Sequence, residues 1–267
     1  VPIVYYAIVA VGLNLCVGIL GELSIGHAGF MCIGAFSSAV FSICTEDKMA
    51  SGLRFFLAFV IGIGVSALFG FLIGIPVLRL KGDYLAIVTL AFGEIIKNVL
   101  NAFYLGYDSK GVHLSMSMET FQLDPDGKVL INGANGVSGT PMDSNFTVAM
   151  IVLFLVLVIT QNLIHSRDGR AIMAIRDNRI AAEATGISVT KYKMLAFTIS
   201  AAIAGAGGVL YSHNLSSMMA NSQSFGYNVS ILILVYVVLG GIGNIRGSVI
   251  ATVVLYLLPE VLRGMDK

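Results

Sequence analysis

Charge is scarce in this 267-residue chain. Asp, Glu, Lys and Arg make up 12% of it, against 57% hydrophobic residues and a mean hydropathy of +0.88. That balance excludes a water-soluble globular domain and implies a polytopic membrane protein. Neither sign dominates, the formal net charge being +1, so the chain offers no basic field for nucleic acid. Cys16, Cys32 and Cys44 all lie in apolar segments. Their odd number and lack of metal-ligand spacing speak against a disulfide framework or a metal site and make them small packing residues. Also missing are a nucleophile, base and acid in triad order, HExxH, CxxC and the phosphate loop GxxxxGK[ST], so ATP hydrolysis and covalent chemistry have no seat here. The chain opens without Met, inside an apolar run and with no basic n-region, so no signal peptide is read. Both ends are expected to be trimmed, with a further helix removed after Lys267.

What is present is apolar sequence in long runs, near 3 to 20, 30 to 45, 54 to 78, 84 to 104, 145 to 164, 192 to 212, 227 to 240 and 247 to 262. They predict an all-α polytopic fold of about eight transmembrane helices, arranged as one membrane domain over residues 1–267. Some runs are too short to span alone. Tyr227 to Leu239 rises about 20 Å at ~1.5 Å per residue, against a hydrocarbon core about 30 Å thick. Two Gly-rich breaks interrupt the pattern, Gly21 to Gly29 and Gly240 to Asn244. Each is flanked by apolar helices, which predicts a pair of related hairpins and non-helical backbone lining a cavity. Gly62, Ser66, Gly70 and Gly74 recur every fourth residue, so that face should pack closely on another helix. Ala201 with Gly205, and Ala204 with Gly208, repeat the device.

Two polar segments stand out. Residues 105–143 carry Asp108, Glu119, Asp124, Asp126 and Asp143 against Lys110 and Lys128, and Thr120 to Ile131 reads as two short strands about the turn Asp124-Pro125-Asp126-Gly127. Residues 166–193 carry Arg167, Arg170, Arg176, Arg179, Lys191 and Lys193 against Asp168, Asp177 and Glu183. The positive-inside rule puts 166–193 in the cytoplasm and 105–143 outside. Counting back places Arg79 and Lys81 inside, and Glu46, Asp47 and Lys48 outside. Within the basic island Ile172, Ile175, Arg179 and Ala182 fall at helical spacing, predicting one short amphipathic helix that ends at Gly186, a residue suited to a left-handed C-cap. The island is the handle by which something outside the membrane would move the rest.

Candidate pathway residues follow from polarity inside apolar surroundings. Glu94 lies about eleven residues, or roughly 16 Å, past Asp83, near mid-membrane. An ionisable group at that depth faces a partner or a wet cavity. Lys97 at i+3 or Asn98 at i+4 could satisfy it, and Asn101 extends the stripe. His27 sits in the first break with Asn14, Glu22 and Ser24 close by. Asn228, Ser230 and Asn244 are the matching polar groups at the second.

As a set these motifs resemble the permease subunits of branched-chain amino-acid ABC importers, of the LivM type. The resemblance is carried by Gly12-Leu13-Asn14, Ser24-Ile25-Gly26-His27-Ala28 and Gly34-Ala35, then by Leu80-Lys81-Gly82-Asp83-Tyr84-Leu85-Ala86-Ile87-Val88-Thr89-Leu90 with Glu94-Ile95-Ile96. Asn132-Gly133-Ala134-Asn135-Gly136-Val137 with Pro141, Gly169-Arg170-Ala171 to Gly186, and Val238-Leu239-Gly240-Gly241-Ile242-Gly243 with Gly247 complete it. It implies a multi-pass protein of the bacterial or archaeal cytoplasmic membrane that imports branched-chain or other hydrophobic amino acids by alternating access. The implied partners are a second homologous permease, two cytoplasmic ATPases that carry ATP-Mg, and a periplasmic or surface solute-binding protein; no cofactor resides in this chain. Asn14, Ser24, His27, Glu94, Asn98 and Asn228 would line the pathway, and Arg170, Arg176, Asp177, Ala181, Ala182 and Gly186 would couple to the ATPases. At the spacing of an EAA-x3-G loop this chain has Ile180-Ala181-Ala182 before Gly186, so the usual Glu is absent. The alternatives are a urea or short-chain amide importer permease, a proton- or ion-coupled carrier using Glu94, and a non-transporting scaffold.

Overall fold

Each of the eight apolar runs forms a helix in the computed structural model, which describes residues 1–46, 49–80, 82–108, 111–117 and 127–265. The first is α1 (Pro2–Asn14), with Pro at its first position where no N–H partner is lost, continued by a π-turn, Leu15–Leu20, that stops at Gly21 with φ +78°. Then follow α2 (His27–Cys44), α3 (Ser51–Val77) and α4 (Asp83–Asn101). The second half holds α5 (Phe146–His165), α6 (Arg167–Asp177), α7 (Arg179–Ala184) and α8 (Val189–Ser212), then the single turn α9 (Ser222–Phe225), α10 (Tyr227–Gly240) and α11 (Ile245–Met265). Among the described residues seven helical stretches are long and apolar enough to cross a membrane. The eighth expected span, α4, carries Asp83, Glu94 and Lys97 on a strongly amphipathic helix and is not one of them.

Two expectations are corrected. The island is two helices rather than one, because Asn178 takes an extended conformation (φ −154°, ψ 102°) and its Oδ1 accepts the Ala181 N–H at 3.0 Å. A residue used as an N-cap must leave the helix before it. The short run 227–240 is not alone either: α9 precedes it, and Ser222–Gly240 together make a 19-residue span.

Helix α8 is the axle, packed against α1, α2 and α3. Small residues let the backbones approach. A Cβ on Gly70 would strike Ala201, one on Gly205 would strike Ser66, and one on Gly74 would lie 2.7 Å from Met194 Sδ. The four-residue stripe on α3 therefore faces α8, as its spacing predicts. In their most apolar windows α1, α2 and α8 are 83%, 78% and 72% buried, whereas α3 and α5 are 28% buried and turn large apolar side chains outward.

Contacts along α8 set the depth of everything else. Near its start Lys193 ion-pairs with Glu22, at Ser200 it meets Gly12 and His27, and at its end Ser212 meets Ser38. His27 thus lies beside a residue about 16 Å along a helix about 36 Å long, so α2 begins near half-depth. The chain from Gly21 to Gly26 climbs to it from the island end. The N-terminus of α10 sits at the same level, since the Ala28 N–H donates to Ser230 Oγ at 3.2 Å. α10 then runs the opposite way, and Gly243 beyond its end donates its N–H to Asn14 Oδ1 at 2.8 Å. The two Gly-rich breaks, remote in sequence, are neighbours near the island.

At the other end lies a three-stranded antiparallel sheet in the order β2 (Gly111–Ser115), β1 (Tyr104–Asp108), β3 (Lys128–Asn132), with a register shift between Leu105 and Gly106. The two-residue β4 (Val137–Ser138) pairs with β5 (Ser217–Met218), tying this segment to the chain after α8. Asp143 binds Arg54 at the start of α3, 2.7 Å apart. The segment 105–143 and the island thus sit at opposite ends of α5. Thr120 to Asp126, including most of the expected turn, lies outside the described residues.

Candidate translocation pathway and coupling surface

At half-depth the start of α2 is closed by neutral groups. Ser200 Oγ donates to the Gly12 carbonyl at 2.5 Å, which uses its single proton. It must therefore accept from His27 Nε2, 2.6 Å away, so the imidazole carries its proton on Nε2, and Nδ1 accepts from Ser24 Oγ at 3.2 Å. The Ile25 N–H reaches Thr89 Oγ1 at 3.0 Å. Asn14 spends its amide on Ser248 Oγ (2.7 Å) and on the Gly243 N–H. Asn14, Ser24 and His27 are all buried, at 1% exposure or less. They join α1, α2, α8 and α11 and present nothing to an open space in this conformation.

The start of α10 is different. Glu94 Oε1 accepts the Tyr227 N–H at 2.7 Å, and its Oε2 accepts from Lys97 Nζ at 2.5 Å. Lys97 Nζ also donates to Ser222 Oγ at 2.9 Å. The carboxylate thus sits at the positive end of the α10 dipole, and of the two partners expected from spacing it is Lys97 that takes it. α4 approaches closely enough because Gly93 faces Gly29, where a Cβ on Gly29 would come within 2.7 Å of the Gly93 Cα. The Glu94 side chain keeps 24% of its surface exposed. Asn98, Tyr227 and Asn228 beside it are exposed as well. A carboxylate and two amides facing hydrocarbon would each cost several kcal/mol on the order of a lost hydrogen bond or more, so this face meets water or another protein.

Between α2, α3 and α4 lies an apolar cavity of about 720 Å³, lined by Ile33, Phe36, Val65, Phe69, Phe92 and Ile96 among others. Among the described residues that line it, none carries a charged side chain with which to grip an amino-acid zwitterion.

The island presents α7 outward. Ile180 is 80% exposed, while Ala182 is packed with Ile175 and Val189. Gly186, at φ +86°, closes α7 in a Schellman motif, its N–H on the Glu183 carbonyl and the Ile187 N–H on the Ala182 carbonyl, both 3.0 Å. Arg179 pairs with Glu183 at 3.1 Å, and Arg170 donates to the His165 carbonyl at 2.8 Å. Arg176, also exposed, reaches back to the membrane domain, where its Nη1 donates to the Gly18 carbonyl at 2.9 Å. Asp177 accepts from Arg176 Nε and Nη2. Ala181 is exposed.

Residues 1–265 match the family model described as branched-chain amino acid transport system / permease component. Among its relatives are the high-affinity branched-chain amino acid transport system permease proteins LivM of Salmonella typhimurium, 35% identical, and of Escherichia coli, 34% identical, each over 272 residues that cover 98% of this chain and 62% of the relative. The nucleoside ABC transporter permease protein NupC of Lactococcus lactis subsp. cremoris is 28% identical over 218 residues, 77% of this chain and 63% of the relative. The chain thus spans under two thirds of the length of these curated relatives. No solved structure matches it.

Proposed function

We propose that this chain, which belongs to the branched-chain amino acid transport system permease family, is the membrane subunit of an ATP-driven importer for branched-chain and other hydrophobic amino acids. The observation that carries the transport reading is the polar patch at half-depth where α10 begins, the partly exposed Glu94 with the exposed Asn98, Tyr227 and Asn228. Such a patch belongs on a shared water-filled pathway rather than on lipid. A second homologous permease stands opposite it and completes the pathway. Two ATPases, which hold ATP-Mg, engage the island, with Ile180 as the apolar knob that spacing alone did not single out. A solute-binding protein delivers from the side of the 105–143 sheet, and the setting is the cytoplasmic membrane of a bacterium or archaeon. The solute class is supported by the names of the relatives, of which one carries nucleosides in its name. The structural role of Glu94 is supported by its two partners, Lys97 and the Tyr227 N–H, which hold it at the start of α10.

The test is reconstitution of the complex in proteoliposomes with labelled leucine, isoleucine, valine, urea and a nucleoside. ATP-dependent accumulation of the branched-chain amino acids is expected. Accumulation driven by a pH gradient without ATP, or preference for urea or the nucleoside, would overturn it.

A further inference from the structure

Arg176 stands on the exposed surface of the island, its side chain 37% exposed, and also reaches inward to the membrane domain. The π-turn Leu15–Leu20 ends at Gly21, whose N–H and that of Glu22 both go back to the Cys16 carbonyl. The Gly18 carbonyl is one of the acceptors left over at such a helix end, and Arg176 Nη1 takes it at 2.9 Å from the last turn of α6. The fit is built from both sides. A Cβ on Gly21 would come within 2.6 Å of Arg176 Cγ, so the side chain lies across the turn only because Gly21 has none. Asp177 holds the remaining face of the guanidinium at 2.9 and 3.0 Å. Gly18 itself packs on Gly243, where a Cβ would strike the Gly243 backbone, and Asn14 binds the Gly243 N–H. A second tie, Lys193 to Glu22, joins the start of α8 to the same turn.

We infer that Arg176 is a positioning residue that carries displacement of the island into both Gly-rich breaks through the Gly18 carbonyl. A guanidinium held by two partners fixes its orientation on the carbonyl through its planar fork, as a freely rotating ammonium would not. The inference rests on the importer reading for its role, and on geometry alone for the tie.

Two measurements separate these. In the reconstituted complex Arg176→Gln should lower solute imported per ATP hydrolysed about tenfold while hydrolysis persists. Arg176→Lys should fall between, and Asp177→Asn, a surface change that leaves folding intact, should lower the ratio about threefold. An unchanged ratio in Asp177→Asn and Arg176→Gln, or release of the ATPases on purification, would overturn the inference. Amide hydrogen exchange on this subunit within the assembled complex, without ATP, should show faster exchange over Gly21 to His27 in Arg176→Gln, and unchanged protection there overturns the tie. A parent complex that imports nothing with ATP would instead fail the importer reading.

Discussion

Two helices begin near half-depth in this protein, α2 at His27 and α10 at Tyr227, and they solve the same problem differently. Both expose unpaired N–H groups where no lipid can satisfy them. At α2 the Ala28 N–H goes to the Ser230 hydroxyl, 3% exposed, and His27, Ser24 and Ser200 pair with one another at 1% exposure or less. α10 is capped by the carboxylate of Glu94, with Lys97 beside it and a quarter of the glutamate surface open. A neutral cap suits a site that stays dry in packed protein, whereas a charged cap on an open face requires water or a polar partner. On the proposed transport reading the α2 start is the fixed frame and the α10 start the edge of the pathway.

The comparison breaks most visibly at the sealed side. His27→Leu strands the Ser24 hydroxyl in the dry interior, at about 1–3 kcal/mol, while Ser200 keeps the Gly12 carbonyl and loses only the donor it accepts from. A clear loss of thermal stability in detergent is expected, with uptake falling in step. Full stability with abolished uptake would place His27 on the pathway instead. Gly70→Leu should come next, because the added side chain would drive α3 off Ala201 at a cost of about 1–3 kcal/mol. Phe71→Leu on the outward face, where Phe71 is 47% exposed, should leave the midpoint nearly unchanged, and equal tolerance at both positions would mean that α3 meets lipid on its small-residue face.

The open side should respond in function as well as folding. Glu94→Gln keeps one acceptor for two donors and removes the countercharge of the buried Lys97, so the melting midpoint should fall by the equivalent of about 1–3 kcal/mol. ATP-driven uptake should persist at a several-fold lower rate, and neither the variant nor the parent should accumulate solute from a pH gradient alone. Uptake from the gradient in the parent that the Gln variant loses would make Glu94 a proton carrier. Asn228→Ala should be the mildest, an exposed change with about 0.5 kcal/mol or less in stability and a shift in apparent affinity for solute.

Much of the frame is legible in the residues alone. Eight apolar runs become eight helices, the fourfold small-residue spacing becomes the α3 to α8 contact, and the Glu94 to Lys97 pair follows from i,i+3 geometry. Three things are not legible, for physical reasons. The other half of Glu94's environment is a backbone N–H, that of Tyr227, which no side-chain pattern encodes. The depth at which α2 starts is fixed by hydroxyl contacts to Ser200 and Ser230 about 170 to 200 residues away in sequence, so hydropathy could not report it. Arg176 reads locally as one more basic residue of the island, and only the bare Gly21 turn beneath it shows which way it points. Asn178 does carry a signal, since Asn inside a helical pattern competes for backbone donors and favours a cap.

The most direct measurement is thiol accessibility in a background with Cys16, Cys32 and Cys44 replaced by Ser. Asn228→Cys and Ser24→Cys would each be exposed to a hydrophilic, membrane-impermeant thiol reagent in the assembled transporter, with and without leucine. Asn228→Cys should react and be protected by leucine, while Ser24→Cys stays unmodified throughout. Modification of Ser24→Cys with Asn228→Cys inert would put the pathway at the α2 start and contradict the assignment of the α4 and α10 face.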